Sequence, residues 1–299
     1  MIDPKSNAPD VSIEATPSAE YGARWLSLRN LLVLIVIACG LLSVTFPAIQ
    51  AAREKARRLA CARNLCHIGL GLLNYHETYR QFPYPYVLDQ NGQRRFGWRV
   101  GVLPFITSNN LYDKYAAAYR NAGKEFSLAP YYDIDLHFFR CPSELVQPGT
   151  TSYFTVTGGP TAWPAPSASC LQEFAQPSRS LLIVENSRLG VHWVDPRDLR
   201  FDQLDFTIRS RSSMGFSSSG YPTVQVISSE HTNGTNAVFA DGGVQFLTGD
   251  TSPKIIERML TIGDPPSRPQ PGIRCRWVRD PDSTDIKFPY KITWYSPNE

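Results

Sequence analysis

The chain has 299 residues, 42% of them hydrophobic and 19% charged, a balance that excludes a wholly disordered protein and leaves apolar material for a sizeable core. Its net charge of +3 is small, and the basic residues form no stripe interleaved with aromatics, which argues against a nucleic-acid partner. No long low-complexity linker divides it, so the organisation read here is one domain plus an anchor; 24 prolines with 14 Tyr and 15 Phe point to short strands, turns and ordered loops rather than a helical bundle.

Residues 1–29 open with a polar stretch carrying Pro4, Pro9, Pro17 and several acids, which lacks the material for a core and reads as a disordered cytoplasmic tail. Residues 30–49 follow as a transmembrane helix. Leu31 to Ile49 carries no charge and, at helical rise, is long enough to cross the hydrocarbon layer. It exceeds the apolar core of a secretory signal and ends without a small-x-small cleavage site, so retention in the membrane is expected. Arg53, Lys55, Arg57, Arg58 and Arg63 follow the run, whereas Lys5, Arg24 and Arg29 precede it. Charge alone therefore places the C-terminal part in the cytoplasm.

Residues 50–82 read as a continuation of the same helix. Leu59, Leu65, Ile68, Leu72, Tyr75 and Tyr79 recur at helical spacing with Arg and Lys opposite them. Pro47 removes a backbone hydrogen bond within it and is expected to bend it, and the segment from Gln81 to Pro85 stops it. Residues 83–299 form the remaining α+β domain.

The run from Phe46 to Pro83 resembles the opening of a bacterial prepilin-like family catalogued as domain of unknown function 1559. Further blocks come in that family's order: Phe96 to Ile106 with Leu111, Tyr112 and Asp113, then Phe139 to Glu144, Thr151 to Gly159, and Ser178 to Leu199. The last is a C-terminal signature of His, nine residues and Asp-Gly, present as His231, Asp241 and Gly242. The resemblance implies a pilin-like α+β fold, with the long N-terminal transmembrane helix packed on an antiparallel β-sheet. It also implies a single-pass protein of the inner, cytoplasmic membrane whose large domain is extracytoplasmic, and this orientation is preferred to the one from charge. The chain departs from pilin-like precursors in lacking Gly-Phe before the apolar run and an early Glu within it; the first acid beyond the run is Glu54. Processing and filament docking are therefore not carried over, and a permanent, non-polymerising anchor is the alternative.

Leu181 to Asn186 reads as a strand buried on both faces. Thr223 to Ser229, Asn236 to Ala240 and Gly243 to Leu247 read as an antiparallel meander turning at Asn233-Gly234 and Asp241-Gly242, pairs that take positive φ at little cost.

His231 and Asp241 could form a metal pair or an acid/base pair, but Asp before Gly is ordinary turn chemistry and two side chains do not fill a coordination sphere. The pair, with Gly242, is read as structural. Asp195, Asp198, Asp202 and Asp205 read as a solvated or capping set. Trp193 beside His192, and Trp163 between prolines, read as exposed aromatics that could stack on sugar rings. No nucleophile elbow, zinc-protease, P-loop or dinucleotide motif occurs. Of six cysteines, Cys39 lies in the apolar run. Cys61 and Cys66 are five apart and face different directions on a helix, so they are not placed to bond. Cys61 with Cys141 is the preferred disulfide, because both fall within the family-like blocks.

The expectation is a pseudopilin-like structural or interaction protein of the bacterial envelope, in secretion or pilus-like assembly. Its partners are the lipid bilayer and other pilin-like subunits or secretion components, without catalysis, cofactor or metal. The rival readings are an anchored carbohydrate or cell-wall binding module using Trp163 and Trp193, and a metal-dependent hydrolase centred on His231 and Asp241.

Overall fold

The structure is a computed structural model that describes residues 28–88, 92–107, 110–122, 127–144, 148–210, 225–263, 274–279 and 290–295. The polar tail read from the sequence lies outside these residues up to position 27. The chain divides into two units at Gln50 and Ala51.

Helix α1 (Leu28–Tyr79) has 52 residues and is unbroken through Pro47. In the first unit its side chains are exposed from Leu28 to Gln50, and the apolar stretch is long enough to cross a membrane.

In the second unit the architecture is α+β. Cys61, Leu65, Ile68, Leu72 and His76 of α1 recur every three or four residues and are all buried, the stripe expected of a helix laid on a core, and burial widens to every residue from Ile68 to Leu72. Two glycines allow close approach. A Cβ on Gly69 would meet Val238 Cγ1 at 3.0 Å and the Gly242 carbonyl at 3.1 Å, and one on Gly71 would collide with Ile106 Cγ2. The first is the approach to the sheet, and the second the approach to α2 (Trp98–Ile106).

The main sheet has six strands, in the spatial order β12 (Tyr290–Tyr295), β11 (Arg274–Arg279), β10 (Val244–Thr248), β9 (Gly234–Phe239), β5 (Leu181–Glu185) and β3 (Tyr153–Phe154). All of its pairs are antiparallel. Strand alternation splits its side chains between two cores. Val238, Ala240 and Val244 join the cluster that holds the α1 stripe, whereas Ala237, Phe239 and Leu247 join a second cluster with Ile256, Met259 and Leu260 of helix α4 (Pro253–Leu260). Arg58 of α1 lies 3.5 Å above the Phe246 ring of β10.

Two of the three strands expected as a meander form the β9–β10 hairpin, and Gly242 takes φ 78° at its turn. The third, β8 (Gln225–Ser229), does not join it. It pairs in parallel with β7 (Leu204–Ser210), and β9 takes β5 as its other neighbour. The reason is apolar: Ile183 and Val184 of the fully buried β5 stand opposite Val238 and Ala237. The polar end of β8 is held instead by the Ser187 N–H, which donates to the Ser228 carbonyl.

Candidate functional site

Four chemically reactive side chains from distant parts of the chain meet between α1 and the sheet. Cys61 comes from the buried stripe of α1, and Glu185 ends β5. Cys141 sits in a turn whose backbone is pinned by Ser152 Oγ, which accepts the Cys141 N–H at 2.8 Å. His231 lies in the connection between β8 and β9. The Sγ, Sγ, carboxylate and imidazole donor atoms all lie within 4.8 Å of one another. Exposure is 0% for Cys61 and His231, 1% for Glu185 and 3% for Cys141.

The contacts fix how each group is presented. His231 Nε2 stands 3.3 Å from Cys141 Sγ and 3.9 Å from Glu185 Oε1. Its other nitrogen, Nδ1, is 2.8 Å from Glu54 Oε1, and Ser143 Oγ is 3.3 Å away. Glu54 is fixed in turn by Arg57 at 2.8 Å. Glu185 Oε2 accepts hydrogen bonds at 2.8 Å from Thr235 Oγ1 and the Asn236 N–H, so Oε1 is left to face the cluster, where it accepts from the Cys61 thiol. Tyr153 donates its hydroxyl to Cys61 Sγ at 3.2 Å.

Burial and hydrogen bonding compete over the protonation of each group. Burial opposes charge on His231, but hydrogen bonding to Cys141, the Glu185 charge and Glu54 outweigh it and bring the imidazole up to about 9. Burial also opposes charge on Glu54, yet the hydrogen bonds from His231 and Arg57 hold its carboxyl below the usual value. Burial pushes the Cys61 thiol well up, whereas the hydrogen bond from Cys61 draws Cys141 down.

These placements correct several expectations. Cys61 and Cys141 are close but both are free thiols, as are Cys39 and Cys170, while Cys66 is disulfide-bonded. The preferred pair is therefore not bonded, although both sulfurs lie in one cluster. Trp163 and Trp193 are not surface aromatics, since each is 1% exposed. Trp163 Nε1 donates to the Leu182 carbonyl at 3.0 Å; Trp193 Nε1 donates to the Ile134 carbonyl at 2.7 Å, and its ring is stacked on Phe139. A large aromatic with its one polar atom satisfied belongs in a core. The basis for a sugar-stacking face is therefore gone. Asp241 is not among the partners of His231: it is exposed, and its carboxylate accepts the Gly243 N–H at 2.9 Å within the turn. Asp198 is also not solvated; it is buried against Arg99 at 2.7 Å.

The family described as "Protein of unknown function (DUF1559)" matches residues 50–204, just over half of the chain. The chain belongs to this family. The DUF1559 match contains Glu54, Cys61, Cys141 and Glu185, and His231 lies beyond it. No curated protein and no solved structure matches the chain.

Sequence reasoning singled out His231, Cys61 and Cys141 but gave them other roles, and it missed Glu185 and the pairing role of Glu54. Two signals bore on them: a Glu closing the apolar strand Leu181–Glu185, and a single acid inside the basic stretch from Arg53 to Arg58.

Proposed function

We propose that this DUF1559 protein is a single-pass, membrane-anchored, pilin-like structural or interaction protein of the bacterial envelope, without catalysis. The observation that carries the reading is the double use of α1. Its stretch from Leu31 to Ile49 is apolar and exposed, as a bilayer requires, and from Cys61 onward the same helix supplies the buried stripe of the folded unit. An anchor that is also a core element couples membrane attachment to domain stability. The membrane is the cytoplasmic one and the domain lies outside it. The disulfide at Cys66 favours that orientation, because such bonds persist in oxidising compartments. Partners are other pilin-like subunits or secretion components met through α1.

The test is fractionation of bacterial cells producing the full chain, with protease added to spheroplasts. The reading expects protein that resists high-salt washing, dissolves in detergent and is cleaved from outside. Replacing Ile35 and Leu42 with Arg should release it, since each charge costs about 2.5–3.5 kcal/mol at mid-membrane. Salt-extractable wild-type protein, or a domain protected in spheroplasts, sinks the reading.

A further inference from the structure

We propose that Cys61, Cys141, Glu185 and His231 form a binding site for a zinc ion, with Glu54 as the carboxylate behind the imidazole. This goes beyond the anchoring role and does not depend on it.

The donor set is the first argument. Two sulfurs, an imidazole nitrogen and a carboxylate oxygen suit a borderline-soft cation such as Zn2+ and are poorly matched to the oxygen-seeking Mg2+ or Ca2+. Spacing is the second. A tetrahedral ion with bonds of about 2.0–2.3 Å holds its ligand atoms about 3.3–3.8 Å apart. His231 Nε2 already stands 3.3 Å from Cys141 Sγ and 3.9 Å from Glu185 Oε1.

The surroundings are the third argument, and they are independent of the donors. Metal-bound imidazoles hold their second nitrogen on a carboxylate, which fixes ring and tautomer. Glu54 makes this contact with Nδ1 at 2.8 Å, which turns Nε2 toward the cluster. Thr235 and the Asn236 N–H orient Glu185 in the same way, through its outer oxygen. Two thiols, an imidazole and the Glu185 carboxylate are gathered in the core, where polar and ionisable groups are costly unless they are paired or bound to a metal. Zinc entering the site would displace the two thiol protons and any proton on Nε2, which leave to solvent.

All four donors belong to the protein and are buried, so no coordination position is left for a substrate. A closed site of this kind is structural. Here it ties the α1 stripe to β5, the Cys141 turn and the β8–β9 connection. It also accounts for two neighbouring thiols remaining unbonded: a metal ion keeps both as ligands, and a disulfide between them would remove half the site.

The experiment uses the full chain, extracted in detergent from its native membranes without added metal and measured for zinc by elemental mass spectrometry. Denaturation in an alkylating agent, followed by peptide mass mapping, reads the state of the thiols. The proposal expects stoichiometric zinc, with Cys61 and Cys141 both alkylated. Cys141→Ser and His231→Ala should lose the metal, whereas Cys170→Ser, a free cysteine outside the cluster, should keep it. Glu54→Gln should weaken zinc binding about 10–100-fold without abolishing it, and Glu54→Asp should restore part of the loss. Should the ligand variants fail to fold, wild-type protein stripped by a chelator and titrated with Co2+ still decides, because thiolate ligation gives sulfur-to-cobalt charge-transfer absorption. A Cys61–Cys141 disulfide in native material, metal-free reduced protein that takes up neither Zn2+ nor Co2+, or zinc retained by folded Cys141→Ser overturns the proposal.

Discussion

Glu54 and His231 are 177 residues apart in sequence and meet at 2.8 Å, joining α1 to the connection before β9. Glu54 thereby gives the basic stretch of α1 a fixed seat on the folded unit. Glu54→Ala should lower stability by about 1.5–3 kcal/mol, the range for hydrogen bonds to charged groups. In a double-mutant cycle with His231→Gln, the losses should be strongly non-additive. Chemical denaturation of the four proteins checks this; additive losses would mean that the contact carries no coupling.

Arg99 and Asp198 form a second long-range lock. Arg99 is 1% exposed, donates to Asp198 at 2.7 Å and to the Tyr153 carbonyl at 2.8 Å, and so ties α2 to β3 and to the segment before β6 (Leu199–Arg200). Arg99→Met leaves a carboxylate in the core with no cation, at a cost of about 3–5 kcal/mol. Adding Asp198→Asn should recover part of that loss, because it removes the stranded charge and keeps an oxygen to accept from the Thr155 N–H and Trp98 Nε1. The comparison of thermal midpoints between the single and double variants is the measurement.

Trp193 should behave as a core residue. Trp193→Ala is expected to cost about 3–5 kcal/mol. Trp193→Phe keeps most of the packing on Phe139 but leaves the Ile134 carbonyl unpaired, a loss of about 1–3 kcal/mol. A Trp193→Ala protein with unchanged melting and lost glycan binding would contradict the buried position.

What was legible in the sequence was local. The α1 stripe, the fully buried strand from Leu181 and the Asp-Gly turn each follow from a pattern within a few residues of chain. Membership of Cys61, Cys141, Glu185 and His231 in one site does not, because separations such as the 124 residues between Cys61 and Glu185 leave no periodic trace. The same reason hid the burial of Trp163 and Trp193: flanking prolines and aspartates mark a turn, but whether the ring faces solvent depends on Phe82, Trp98 and Phe139, which lie elsewhere in sequence. Strand β8 was seen as a strand and misplaced, since its partner is chosen by competition with β5 for the edge of β9.

Glu144 gives the pH dependence. Burial raises its carboxyl from 4.5 to about 8, against the hydrogen bond from Ser152, and the nearby Cys141, Glu185 and Glu230 raise it further. The folded value lies above the unfolded one, so folding takes up a proton between them. The stability this group contributes is complete below the unfolded value and is lost as pH rises through about 8. Over that window the unfolding free energy should fall by up to about 1.4 kcal/mol per pH unit on account of this side chain. Glu144→Gln keeps shape and hydrogen bonding without the ionisation, so the difference between wild type and variant isolates the effect from other titrating groups. Denaturation midpoints measured from pH 5 to 9 should diverge, with the wild type losing stability faster as pH rises. Parallel curves would place a charged Glu144 in the fold and with it a different arrangement around Ser152.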